Sequence, residues 1–127
     1  MKTLGFSKFS ALLFAAAIFQ IFGMTGTASA ETAADNYDLY CVQCHGSAGT
    51  GKGINAPELA VAPRNHSSAT DMGSLSDENI ALAIRDGGSA VGKSTQMPSW
   101  KSVLSEAEIQ DIVKHLRKLC KCEFVKK

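Results

Sequence analysis

Three stretches of the chain place apolar residues at helical spacing, and no run alternates over the length of a strand. Tyr37, Tyr40, Cys41 and Cys44 fall at i, i+3, i+4 and i+7, one face of a helix predicted over residues 33–44. A second helix is marked by Ser76 as N-cap, with Asp77 and Glu78 in its first turn. Leu75 is placed to staple onto Ile80, Ile80 and Ile84 form the apolar stripe, and Gly87-Gly88 ends it. The third opens on Ser105-Glu106-Ala107-Glu108, a capping box, with a staple from Leu104 to Ile109. Its stripe is Ile109, Ile112, Val113, Leu116, Leu119 and Cys120. Between the first two helices, Gly46, Gly49, Gly51 and Gly53 rule out regular structure. The predicted class is all-α.

The first thirty residues follow another rule. Met1, Lys2 and Lys8 give a basic start, and residues 9–22 are apolar apart from Ser10 and Gln20. Gly23 breaks the run, and Ala28-Ser29-Ala30 supplies the small-x-small pattern of a cleavage site. The run is shorter than the roughly 20 residues of a spanning helix. The expected organisation is a signal peptide over residues 1–30, cleaved on export to the periplasm, and one domain over residues 31–127. No stable membrane insertion is expected after cleavage.

The chain carries 13 basic and 12 acidic side chains, and it lacks the basic, aromatic-interleaved surface that nucleic acid would need. Past Val113 there are six basic residues and one acid, Glu123. Lys114, Arg117, Lys118 and Lys121 fall where cations offset the negative end of the third helix, a simpler reading than a docking patch. Phe124 is the one phenylalanine past residue 30. A core this short of bulk would gain from a large apolar insert.

Chemistry enters with Cys41-Val42-Gln43-Cys44-His45. A bare C-x-x-C suits a redox disulfide or half a zinc site, but the histidine that follows points to c-type haem attachment. Thiols three residues apart on a helical turn reach two adjacent vinyl groups and form thioethers, and the next side chain is then aimed at the iron. This attachment occurs outside the cytoplasm, in agreement with the signal. His45 is thus one iron ligand. For the other, Met97 precedes Pro98, which restricts it toward extended backbone, in a loop with Gly87, Gly88 and Gly92. Met72 lacks such a flank. A His/Met pair raises the potential, as suits an electron carrier.

These residues resemble the class I cytochromes c, specifically the small bacterial periplasmic monohaem type. The resemblance rests on the segments at 40–46, 49–53, 62–65, 75–77, 84–88, 90–94 and 97–100, and on the helix of 109–119. It implies three main helices wrapped around one covalent haem, the first and last crossing beside one haem edge at near right angles. It implies that the Pro57 carbonyl accepts the His45 Nδ1–H and that Arg64 meets a haem propionate. Trp100 would pack against the pocket wall. Two departures are His66, where an aromatic is usual, and His115, where tyrosine or tryptophan packs on the first helix. Both read as polar-tipped packing substitutes.

The functional expectation is a one-electron carrier between respiratory redox partners, with no catalytic residues of its own. Two alternatives stand beside it: a haem subunit of a larger oxidoreductase complex, or a haem protein binding nitric oxide or carbon monoxide through a labile or cysteine distal ligand. Cys120 continues the buried stripe, whereas Cys122 lies about 200° around a persisting helix, so the two bridge only if the helix end gives way. Cys122 and the basic tail are the features open to a second copy or a hetero-complex.

Overall fold

Capping residues set where the helices of this computed structural model begin. Thr32 and Asp35 exchange bonds at the start of α1 (Ala33–Tyr40), and Ser76 accepts from Asn79 N at the start of α4 (Asp77–Asp86). Ser105 and Glu108 do the same for α5 (Glu106–Cys120), with the Glu108 carboxylate accepting from Ser105 N at 2.8 Å. The structure describes residues 31–126, so the expected signal segment lies outside the described residues. Two short helices complete the set, α2 (Val42–His45) and α3 (Ala69–Gly73), with 3-10 turns at Ala56–Glu58 and Gly88–Val91. Among the described residues no strand occurs, and the fold is all-α.

The helix expected over residues 33–44 is divided. At Cys41 the backbone opens to φ −113°, so α1 ends and α2 continues to His45. Cys41 N still donates to Tyr37 O at 2.9 Å and His45 N to Cys41 O at 2.9 Å, so the turn is re-aimed without being lost. The short α3, not foreseen from periodicity, starts where Ser68 Oγ accepts from Asp71 N.

The core lies where α1 and α4 pack on α5. Tyr37, Ile109, Ile112, Val113 and Leu116 are each buried, and Leu104, just ahead of α5, is buried in the same cluster. Burying an aliphatic side chain of this size contributes roughly 1.5–3 kcal/mol. Arg117, with a side chain only 13% exposed, joins three segments. It donates to Met72 O at 2.8 Å, to Leu75 O at 2.5 Å and to the Asp77 carboxylate at 2.8 Å. Arg117 therefore does more than offset the end of its own helix: it satisfies the carbonyls that end α3 and open the turn to α4.

At the other end of α5, Lys121 takes a left-handed conformation (φ 50°, ψ 43°). Lys121 N returns to Lys118 O and Cys122 N to Arg117 O, the pattern of a Schellman cap. The reversal carries Cys122 back beside Cys120, and the two form a disulfide with Cα atoms 5.2 Å apart. Cys122 is thus not a free thiol for an intermolecular bond or for the iron; the end of the helix, not its continuation, decides the pairing. Beyond the bridge, Val125 N donates to Gly73 O at 2.9 Å.

Candidate haem site

The attachment turn is held from outside by the loop that follows it. Gly51 N donates to His45 O at 2.8 Å, Gly53 N to Cys44 O at 3.0 Å and Asn55 N to Gln43 O at 2.8 Å. These bonds satisfy the last carbonyls of α2, which a four-residue helix cannot meet itself. The approach requires glycine: a Cβ at Gly53 would strike the Gln43 carbonyl.

His45 Nδ1 lies 3.0 Å from Arg64 O. A carbonyl only accepts, so this ring carries its proton on Nδ1 and keeps a bare lone pair on Nε2. The acceptor differs from the expected one. Pro57 is exposed in its 3-10 turn and does not line the cavity described below. Stitching residues 51–55 onto α2 carries 56–58 outward, while the chain returns past the glycines at 63–66. His66 N there donates to Gly49 O, and a Cβ at Gly51 would collide with the Pro63 carbonyl.

His66 stacks face to face on His45, ring centroids 4.0 Å apart and planes 14° from parallel. Its Nδ1 is 3.1 Å from Tyr37 Oη, and the Tyr37 hydroxyl donates to Gly46 O at 3.3 Å. With that proton committed, His66 Nδ1–H is the donor to the tyrosine oxygen. His115 packs on the other side of the Tyr37 ring, at 5.2 Å. Burial pushes His66 down to about 3, with the nearby His45, Arg64 and His115 adding to the effect. Burial also lowers His45, against the raising effect of its bond to the Arg64 carbonyl. Both rings are neutral at pH 7, the form that binds a metal. Stacked imidazoles leave no space for an ion between them, so His66 braces His45 as a packing residue.

Nε2 chemistry needs a space to act in, and α2 opens on a cavity of about 720 Å3. That volume lies within the roughly 300–1,000 Å3 of cofactor sites. Cys41, Cys44, His45, Arg64, Met97 and Trp100 all line it, so six of the seven predicted site residues converge and Pro57 does not. Burial first, then the neighbouring Cys44, pushes the Cys41 thiol up to about 12. Such a sulfur is a poor thiolate ligand but sits well as a neutral thioether. Among the described residues no three His, Cys, Asp or Glu side chains gather as a metal site, whereas structural zinc takes four such ligands. The donor set and the apolar walls fit a porphyrin carried on two thioethers.

The remaining residues are positioned by loops. Gly88 N donates to Met97 O at 3.0 Å, and a Cβ at Gly88 would strike Ser94 O. Gln96 Oε1 accepts from Ala60 N at 3.0 Å, tying the Met97 loop to the opposite wall. Trp100 N donates to Ile84 O at 3.1 Å, and its ring packs on Tyr40 at 5.1 Å. Arg64 Nη1 donates to Asp71 O at 3.3 Å. Met72 also lines the cavity but is 1% exposed and belongs to the core. Sequence reasoning missed the His45–His66 stack and the Arg64 carbonyl. Every residue offers a carbonyl, so no side-chain signal could have singled out that one.

Known proteins resemble this chain in sequence and in fold. Residues 28–116 match the family described as cytochrome c oxidase, cbb3-type, subunit III. A chain from the Kuenenia stuttgartiensis reducing HAO-like protein complex is similar at 27% identity and a TM-score of 0.56, over 71% of this protein. The match takes in 42% of that chain, so this protein spans less than half of its length. No curated protein matches. The family match covers most of the sequence, including the C-x-x-C-H turn and its cavity. The chain therefore belongs to the cbb3-type cytochrome c oxidase subunit III family, and it is a small c-type cytochrome, an electron-transfer haem protein.

Proposed function

We propose that this protein is an exported one-electron carrier holding a single haem, bonded through Cys41 and Cys44 and ligated by His45 and Met97. When bound, haem supplies an iron that gains and loses one electron without bond-making at the protein. The observation that carries the reading is His45: a half-buried, neutral imidazole with its Nδ1–H fixed on Arg64 O. A hydrogen-bonded Nδ1 orients the ring and makes Nε2 a better donor. Its position next to Cys44, in a cavity shared with Met97, supports one imidazole and one thioether as the residues that would ligate the iron. Arg64 is a cavity-lining cation available to a propionate, and Trp100 with Tyr40 closes one wall. Removal of residues 1–30 and a periplasmic location follow from the leader pattern. Among the described residues no helix is long and apolar enough to cross a membrane.

The partners are redox proteins. The likeness to a chain from a protein complex favours a second reading, in which this domain works as a fixed haem subunit. Size-exclusion chromatography of native extract separates the two. A free carrier elutes alone, and a subunit elutes with its complex.

The central test is mass and colour. The exported protein should carry one haem on the peptide containing Cys41 and Cys44. The oxidised form should show the weak near-red methionine–iron band, and Met97→Ala should abolish it and lower the potential. A band that survives Met97→Ala, or a peptide without haem, would refute the assignment.

A further inference from the structure

The Cys120–Cys122 bridge takes no part in the haem site, and its setting differs from that of a structural staple. It joins residues two apart, so it restrains the unfolded chain less than a longer bridge would. Lys121 between them is, among the described residues, the only non-glycine with positive φ. That conformation is unfavourable for a lysine, and such backbone tends to be retained where function holds it. The two sulfurs are also unequal. Cys120 is buried at 4% exposure, whereas Cys122 is half-buried and lines a surface groove with Arg117, Lys118, Lys121 and Glu123. The Arg117 guanidinium lies 3.8 Å from Cys122 Sγ.

We propose that Cys120 and Cys122 form a redox-active dithiol–disulfide pair that exchanges with anionic thiols, Cys122 being the sulfur that partners attack. The partner thiolate attacks Cys122 Sγ; a mixed disulfide forms there, the Cys120–Cys122 bond breaks, and Cys120 leaves as a thiolate and takes up a proton. A second partner thiolate attacks the partner's sulfur in the mixed disulfide, releasing the partner disulfide and Cys122 as a thiolate. Two thiols are oxidised to one disulfide, and the protein's disulfide takes up the two electrons. Arg117 stands where it would offset the charge on Cys122, since a cation beside a cysteine favours its thiolate. The reduced Cys120 thiol finds acceptors already in place, Arg117 O at 3.4 Å and Cys122 O at 3.7 Å. With Arg117 also held by Asp77, Lys118 and Lys121 outweigh Glu123 in the groove and select for negative charge on the partner.

The experiment treats the oxidised holoprotein with reduced glutathione, an anionic thiol, or with cysteamine, a cationic one. Maleimide labelling and peptide mapping then count thiols at 120 and 122 separately from Cys41 and Cys44. Glutathione should release both thiols with the fold intact, about tenfold faster than cysteamine at low salt, and the ratio should shrink at high salt. Cys120→Ser should form a mixed disulfide with oxidised glutathione, while Cys122→Ser should react at least about tenfold more slowly because its remaining thiol is buried. A bridge that glutathione leaves untouched in the folded protein would overturn the proposal. Equal reactivity of the two single variants, or equal rates for the two thiols at low salt, would do so as well.

Discussion

Where α1 meets α5, the side chains of Tyr37, Ile109, Ile112 and Val113 are at most 2% exposed, and each helix start is capped from within the chain. Around the cavity, Arg64, Met97 and Trp100 are left half-buried, and Val61 is 55% exposed. One region is complete with protein atoms alone. The other folds its loops against one another around an apolar cavity, by backbone bonds at Gly53 and Gly88 and by the Gln96 side chain. The contrast explains how a chain with little aromatic bulk past its first thirty residues makes a domain: half the core is sequence, and the other half is a space shaped for an apolar insert.

The largest way to break the contrast is Cys41→Ala/Cys44→Ala. Covalent haem should be lost completely on a denaturing gel stained for haem. Amide protection should collapse in residues 46–68 and 88–104 while persisting longest in α5, since local stability follows local packing. Uniform loss of protection would show that the two regions are one cooperative unit.

Ile109→Ala tests the opposite side. Ile109 is 1% exposed and does not line the cavity, so urea denaturation should show a loss of about 3 kcal/mol with the haem spectrum unchanged.

His66 sits between the two regions and gives a pH signature. Folding holds it near 3 against 6.5 in the open chain, because burial disfavours its charged form. Below pH 6.5 the unfolded state therefore takes up a proton that the folded state does not. The His66 contribution is full above pH 6.5 and declines as pH falls toward 3, by up to about 1.4 kcal/mol per pH unit. Denaturant titrations should show this slope, and His66→Phe should flatten it. The smallest effect is Ser105→Ala, which removes the α5 cap and should cost about 1 kcal/mol by the same measurement.

Side-chain patterns that act locally were legible in the sequence. The caps at Ser76 and Ser105, the burial of Leu104 and the stripe from Ile109 to Cys120 all depend on neighbours within one or two turns. So does the C-x-x-C-H turn. What escaped depends on where distant backbone arrives. The Arg64 carbonyl, not Pro57, meets His45 because the loop of 51–55 is stitched to α2, a matter of tertiary hydrogen bonding. Arg117 looked like one of several helix-end cations, yet its guanidinium serves two carbonyls 42 and 45 residues away. The Cys120–Cys122 bridge turned on one residue, Lys121, adopting a conformation that lysine seldom takes.

Arg117 also ties one corner of the fold to its last helix. The corner between α3 and α4 is secured by a guanidinium that α5 brings, and α5 likewise supplies the His115 ring that covers Tyr37 on α1. Contacts this distant carry the entropic cost of closing a long loop. Without α5 the Met72 and Leu75 carbonyls and one face of Tyr37 would lose their partners, so the helix farthest along the described residues locks a wall of the cavity that begins with the fold's first helix.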